Sequence, residues 1–273
     1  MQTGVVAVEP LVSVTDFVRG LSVHARVSAS ISGLSALPLV FVHGLGVSVR
    51  YLEPTMALLA DRYPVAGLDL PGFGRSGSPP GVLGVRALAD VLGEWLDARA
   101  IGPAILFGNS FGCQIIVDLV AREPARARGI ILNAPTMDPA HRSVIGQVMR
   151  VLADVPNEPW RLGFVVARDY VRAGPRRLFT TLRHALADRI EEKLPFVPVL
   201  VVVVCGAHDP VVSAEWAAEV ARVTGSAVKG AAGASLTVVS SAGHALPYDE
   251  PAVCAALIES VAEQVRERGE RSA

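Results

Sequence analysis

PAILFGNSFGCQIIVDLVAREP occupies residues 103–124. A short apolar run, Pro103 to Phe107, stops at Gly108, and an apolar pattern of helical spacing starts at Phe111. Strand, tight turn and helix are therefore expected in immediate succession. Gly108 and Gly112 flank Ser110 as G-x-S-x-G. A turn this sharp leaves no room for side chains two residues either side of the serine. At this chain's own glycine and serine frequencies, the pattern alone arises by chance in roughly one such sequence in seven. Its weight comes from the strand before it and the helix after it. That context presents the Ser110 hydroxyl at the upper edge of a sheet, near the positive end of a helix.

Working outward, short β-branched runs alternate with amphipathic segments. Leu21 to Ala29 reads as a half-exposed antiparallel strand. Further runs lie at 38–42, 64–70, 103–107, 129–133, 197–204 and 235–239. Helical patterns fall at Glu53–Asp61, Val85–Arg99, Phe111–Arg122, Ser213–Val223 and Ala252–Arg268. Strands separated by helices of this length imply right-handed crossovers and a doubly wound, mostly parallel α/β sheet. Sites in such sheets sit at the carboxyl ends of the strands. The alternation breaks between Asn133 and Pro195, where helical patterns and turn signals at Pro156, Pro159 and Gly174-Pro175 replace buried strands. This break reads as a helical cap, residues 135–195, inserted into a core formed by 1–134 and 196–273.

The 273 residues are 51% hydrophobic and 19% charged, enough to bury a sizeable core. Lys+Arg 25 against Asp+Glu 26 gives a net charge of -1, which argues against a nucleic-acid partner. The longest apolar run, Val199 to Cys205, is far short of the ~20 residues that span a bilayer. No secretory leader is read at the amino terminus, and no membrane partner is expected. Cys113, Cys205 and Cys254 are too few and scattered for a disulfide framework or zinc site. A cytoplasmic protein without metal or cofactor is expected, acting on a small molecule, with a homo-oligomer left open.

A serine at neutral pH needs a general base, usually a histidine oriented by a carboxylate. Of six histidines, His244 in SSAGHALPYDEP lies between the last expected strand and the last helix. Asp209, in VVVVCGAHDPVV, follows the most apolar strand; the other place for an acid holds Asn133, with Asp138 further on. Asp209 is therefore favoured, with capping of the next helix as a second role. The loop His43-Gly44-Leu45-Gly46 follows the run at 38–42. Its Leu45 amide, with that of Phe111, is the expected pair of oxyanion donors.

Together, VFVHGLG, DLPGFGRSGSP, LFGNSFGCQ, GAHDPVV and AGHALPYDEP resemble the α/β-hydrolase superfamily, from about Leu21 to Arg268. The resemblance implies Ser110 as nucleophile, His244 as base, Asp209 as its orienting acid, and a cap after the sixth strand of that fold. Ser110 sets the chain apart from relatives with an elbow aspartate, the epoxide hydrolases and haloalkane dehalogenases. HGLGVS lacks the longer glycine run of the ring-cleavage carbon–carbon hydrolases. The expected activity is hydrolysis of a carboxylic ester, thioester or lactone. The same triad also serves carbon–carbon bond hydrolases, lyases and acyltransferases, and a ligand-binding receptor with vestigial turnover is a further alternative.

Other residues have plainer readings. His43 is expected to shape the oxyanion loop by hydrogen bonding, and Asp69 to fix the loop after its strand. His208 is read as a loop residue, and His24, His141 and His184 as surface or packing residues without partners. Trp160, Phe164 and Tyr170 recur at helical spacing and are read as packing first, pocket lining second. Residues 134–194 carry ten Lys/Arg against seven Asp/Glu, which is read as a solvated helix face before an acidic-substrate surface.

Overall fold

A computed structural model describes residues 10–29 and 37–272. Their strands are β1 (Leu11–Val18), β2 (Leu21–Ser28), β3 (Leu39–Val42), β4 (Val65–Leu68), β5 (Ala104–Asn109), β6 (Ala127–Asn133), β7 (Leu200–Gly206) and β8 (Ala234–Val239). They form one sheet in the order β1-β2-β4-β3-β5-β6-β7-β8. β3 to β8 run parallel, while β2 pairs antiparallel with both β1 and β4. β1 was not expected from the sequence. It is an edge strand in which Leu11 and Val18 alone are buried, so its apolar residues do not keep the in-and-out alternation that marks a half-buried strand.

The central strands explain their own composition. Every residue of β3, β4, β5 and β7 is buried, because helices cover both faces of a parallel sheet. Alternate residues of β7 enter opposite cores: Val201 and Val203 on one side, Val202 and Val204 on the other. The first core is completed by α2 (Val85–Ala98), α3 (Phe111–Arg122) and α8 (Ala214–Val223). The second is completed by α1 (Glu53–Leu59) and α10 (Pro251–Ser272).

Between β6 and β7 the chain is helical without strands. It forms α4 (Val144–Asp154), α5 (Trp160–Ala173), α6 (Pro175–Ala187) and α7 (Ile190–Lys193). Several polar contacts tie this segment down. Trp216 Nε1 donates to Pro135 O at 2.8 Å. Gln114 Nε2 donates to Ala185 O at 2.9 Å, and Ser48 Oγ donates to Asp169 Oδ2 at 2.5 Å. The last contact joins α5 to the loop after β3. Among the described residues no helix is long and apolar enough to cross a membrane.

Candidate active site

Ser110 sits between the end of β5 and the start of α3 with φ 55° and ψ −118°. A side chain rarely adopts this left-handed region, and such strain persists only where the surroundings enforce it. Here the backbone does so: Ser110 N donates to Asn133 O at 2.9 Å, and Cys113 N donates to Ser110 O at 3.0 Å. The flanking glycines are required by backbone, not by loose side chains. A Cβ on Gly112 would lie 2.3 Å from Val42 O, and one on Gly108 would lie 2.8 Å from Cys113 N.

His244 lies in the loop between β8 and the short helix α9 (Leu246–Asp249). Its Nδ1 is 2.8 Å from Asp209 Oδ2. A carboxylate acceptor there assigns the proton to Nδ1 and leaves Nε2 as the basic nitrogen. Burial pulls the imidazole pKa down. The charge and hydrogen bond of Asp209, aided by Asp154, outweigh this and hold it above its ordinary value. The other Asp209 oxygen accepts from Val211 N at 2.7 Å and Val212 N at 3.0 Å. The helix-capping role expected for Asp209 belongs instead to Ser213, which accepts from Trp216 N at 3.1 Å. Asn133 and Asp138 are engaged elsewhere: Asn133 Nδ2 donates to Asn109 Oδ1 at 2.5 Å, and Asp138 holds Ala140 N and His141.

Ser110 and His244 line the same cavity, of about 770 Å³, with Leu45 and Phe111 on its wall. No hydrogen bond joins the serine and histidine here; such contacts commonly tighten when substrate binds. The rest of the lining is mostly apolar and drawn from both the sheet end and the helical segment, with Met137, Val151, Leu162 and Leu178 among it. The Leu45 loop is held from behind. Leu70 N donates to His43 Nε2 at 3.0 Å, and His43 Nδ1 donates to Gly44 O at 2.8 Å. Burial lowers the His43 pKa despite the nearby charge of Asp69, in keeping with an Nε2 that accepts from Leu70 N.

The structure corrects the reading of His24, whose Nδ1 is 2.8 Å from the buried Asp69 carboxylate. Asp69 also accepts from Val49 N and Arg75 N, both at 2.7 Å. His141 and His184 likewise have partners, Asp138 and the carbonyl of Leu83. The packing role read for Trp160 and Phe164 is not what the fold assigns, since they are 71% and 69% exposed. Trp160 and Tyr170 line the cavity.

One polar group escaped the sequence reading. Asp154 and Glu158, on the cavity wall, meet Asp249 from α9. Burial, with the charges of Asp249 and Asp154, pushes the Glu158 carboxyl up to about 10. Burial pushes Asp249 up to about 6. Asp154 and Glu158 are four residues apart, but Asp249 comes from a distant stretch, so no local motif announced the group. Among the described residues no group of three or more His, Cys, Asp or Glu is arranged to hold a metal.

Comparison with known proteins gives the family and the fold. The sequence profile of a group described as the alpha/beta hydrolase family matches residues 39–257. A Mycobacterium phage D29 protein assigned to the non-heme haloperoxidases is 37% identical over 121 residues, 44% of this chain and 43% of that protein. A pimeloyl-(acyl-carrier protein) methyl ester esterase of Neisseria meningitidis is 33% identical over 95 residues, 34% of each chain. The chain thus spans less than half the length of these curated relatives. The crystal structure of the enol-lactonase from Burkholderia xenovorans LB400 superposes with a TM-score of 0.76 at 20% identity, over 90% of this chain and 98% of that one. At that identity the likeness is one of fold.

Proposed function

The chain belongs to the alpha/beta hydrolase family, and from that premise we propose that it is a serine hydrolase cleaving a carboxylic ester, thioester or lactone of a small molecule. One observation carries the reading. The strained Ser110 and the Asp209-paired His244 stand on the wall of one largely apolar cavity.

In this mechanism Ser110 Oγ attacks the substrate carbonyl carbon as its proton passes to His244 Nε2. Asp209 holds the ring by its Nδ1–H and stabilises the imidazolium that forms. The carbonyl oxygen, now an anion, takes the amides of Leu45 and Phe111, with the amino end of α3 adding favourable field. His244 gives its proton to the departing alcohol or thiol, and an acyl-serine remains. Water then attacks it, losing a proton to His244. Collapse returns that proton to Ser110 and releases the carboxylic acid. Residues 135–195 serve as the cap on a core of 1–134 and 196–273, and they shape the acyl pocket.

The test is intact mass after exposure to a small fluorophosphonate, beside Ser110→Ala. A single adduct on the wild type, lost in the variant, is expected, followed by turnover of one or more members of an ester and thioester panel. The methyl ester named for the Neisseria meningitidis relative makes simple methyl esters the first members to try. No adduct on a folded wild-type chain overturns the proposal.

A further inference from the structure

The outer surface of the helical segment is unusual for a water-facing one. Among the described residues, eleven large hydrophobic side chains between 145 and 196 are exposed, against five in the remainder. Scattered exposed apolar residues need no explanation, but a concentration of this kind marks an interaction surface. On α5 the exposed residues follow a helical row at 160, 164, 167 and 171, with Val171 83% exposed. Leu162, Val166 and Tyr170, off this row, line the cavity, and so do Trp160 and Ala167 of the row itself. α5 is therefore apolar on both sides, with Phe164 and Val171 of the row outside the cavity lining.

The charge on this surface has one sign. Residues 160–187 contain six arginines and a single acid, Asp169, which is buried against Ser48. Arg161, Arg168, Arg172, Arg176 and Arg183 are exposed, and none is in a salt bridge among the described residues. By helical period Arg161, Arg168 and Arg172 form a row beside the apolar stripe. Arg161 lies over the Trp160 ring, 5.5 Å from its centroid. An apolar stripe bearing Trp and Phe, flanked by unpaired arginines, matches a surface that is anionic at its headgroups and hydrocarbon beneath them.

The exposed residues also continue into the cavity. Val148, Val151, Leu152, Val155, Trp160 and Phe179 are exposed, and all six line it. We propose that the outer face of α4 and α5 docks on an anionic lipid surface, with the cavity mouth against the membrane. An acyl chain then passes from hydrocarbon to the vicinity of Ser110 without crossing water. That delivery step rests on the hydrolase reading; the docking does not. A twofold contact between two copies through this face would set arginine against arginine. The absence of a membrane partner was expected from hydropathy, which tests for spanning helices and is blind to a surface assembled from several short ones.

The experiment is vesicle flotation of the full chain with phosphatidylcholine alone and with phosphatidylcholine mixed with phosphatidylglycerol, monitored also by tryptophan emission. Trp95 is fully buried and Trp216 nearly so, which makes Trp160 the reporter. Expected are flotation and a blue shift with the anionic vesicles, both weakened by salt. The Arg161→Gln/Arg168→Gln/Arg172→Gln variant should lose about 100-fold in affinity, and Phe164→Ser/Val171→Ser at least roughly tenfold. Circular dichroism melts are the control that both variants remain folded, and hydrolysis of a short soluble ester should be unchanged in both. Failure of the wild type to float overturns the proposal. So does equal binding by folded variants, or a lipid-free dimer whose Trp160 emission is already shifted. Binding to an acidic protein with none to the vesicles also overturns it. Flotation needs no turnover, so its outcome is separate from that of the fluorophosphonate test.

Discussion

The carboxylate of Asp209 is shared between two duties: Oδ2 meets His244 Nδ1 at 2.8 Å, and Oδ1 gathers the amides of Val211 and Val212. The carboxylate is thus fixed by its own loop before the histidine approaches it. The Asp209 side chain is fully buried, whereas His244 retains some exposure. Removing the charge therefore alters the proton affinity of the imidazole as well as its orientation.

The first prediction concerns pH. The His244 pKa is raised, so the imidazolium persists to a higher pH than in a free histidine, and the neutral base appears only above that point. Hydrolysis should rise with pH through a midpoint on the alkaline side of ~6.5. Asp209→Asn should lower the midpoint and cut kcat by on the order of 10⁴-fold. The pH profile of kcat/KM for both proteins checks this, and a flat profile would exclude His244 as the base.

Stability should carry its own pH signature through Glu158. Its folded pKa, about 10, lies above the ordinary carboxyl value, so between those values the native chain binds more protons than the unfolded one. The contribution of Glu158 to stability is therefore full at acid pH and declines as pH rises through this window. Asp249, raised to about 6, adds a decline at its lower end. Melting temperatures of the wild type should fall towards pH 9, and those of Glu158→Gln should fall less. Parallel curves would mean that the carboxyl is not held protonated.

Gly112→Ala tests the packing beneath the elbow. Its new Cβ would press on the backbone carbonyl of Val42, 2.3 Å away, with no flexible side chain to yield. A loss of about 1–3 kcal/mol is expected from overpacking, read from the denaturant midpoint. The fluorophosphonate reaction should slow in whatever fraction remains folded.

Asp69→Ala addresses the neighbouring loop. It removes the acceptor for Val49 N, Arg75 N and His24 within a site almost closed to solvent. Orphaning a buried set of this kind costs about 3–5 kcal/mol. The companion Asp69→Asn keeps an acceptor and the volume, so it should lose less. Urea melts of the pair give the comparison, and equal losses would assign the effect to charge alone.

What could be read beforehand divides by whether the signal was local. The elbow was legible because Gly108, Ser110 and Gly112 must be contiguous, and because a strand ending at Asn109 and a helix starting at Phe111 leave their periods in the sequence. β7 was legible because burial on both faces forces an unbroken apolar run. β1 was not, since at this edge strand Val12 and Phe17 are exposed and the apolar residues do not alternate with burial. The His24–Asp69 pair joins residues 45 apart through strand register, and Asp249 joins Asp154 and Glu158 from a distant part of the chain. Neither leaves a spacing to recognise. The arginine bias of the helical segment is plain in the composition and most of its arginines are exposed as a solvated face requires, but the number of apolar side chains sharing that face is not plain there. Burial, not composition, made the distinction.

The bond from Ser48 to Asp169 has a consequence beyond holding α5 in place. Ser48 stands three residues after Leu45 in one continuous loop, while Gly46 leaves no space for a Cβ against the Tyr170 ring of α5. On the proposed mechanism, cavity entrance and oxyanion donor are thereby bolted to one bracket. Bulk wedged beneath α5 would then shift the Leu45 amide as well as widen the entrance, so a substrate too large for the site should suffer in turnover before it suffers in binding.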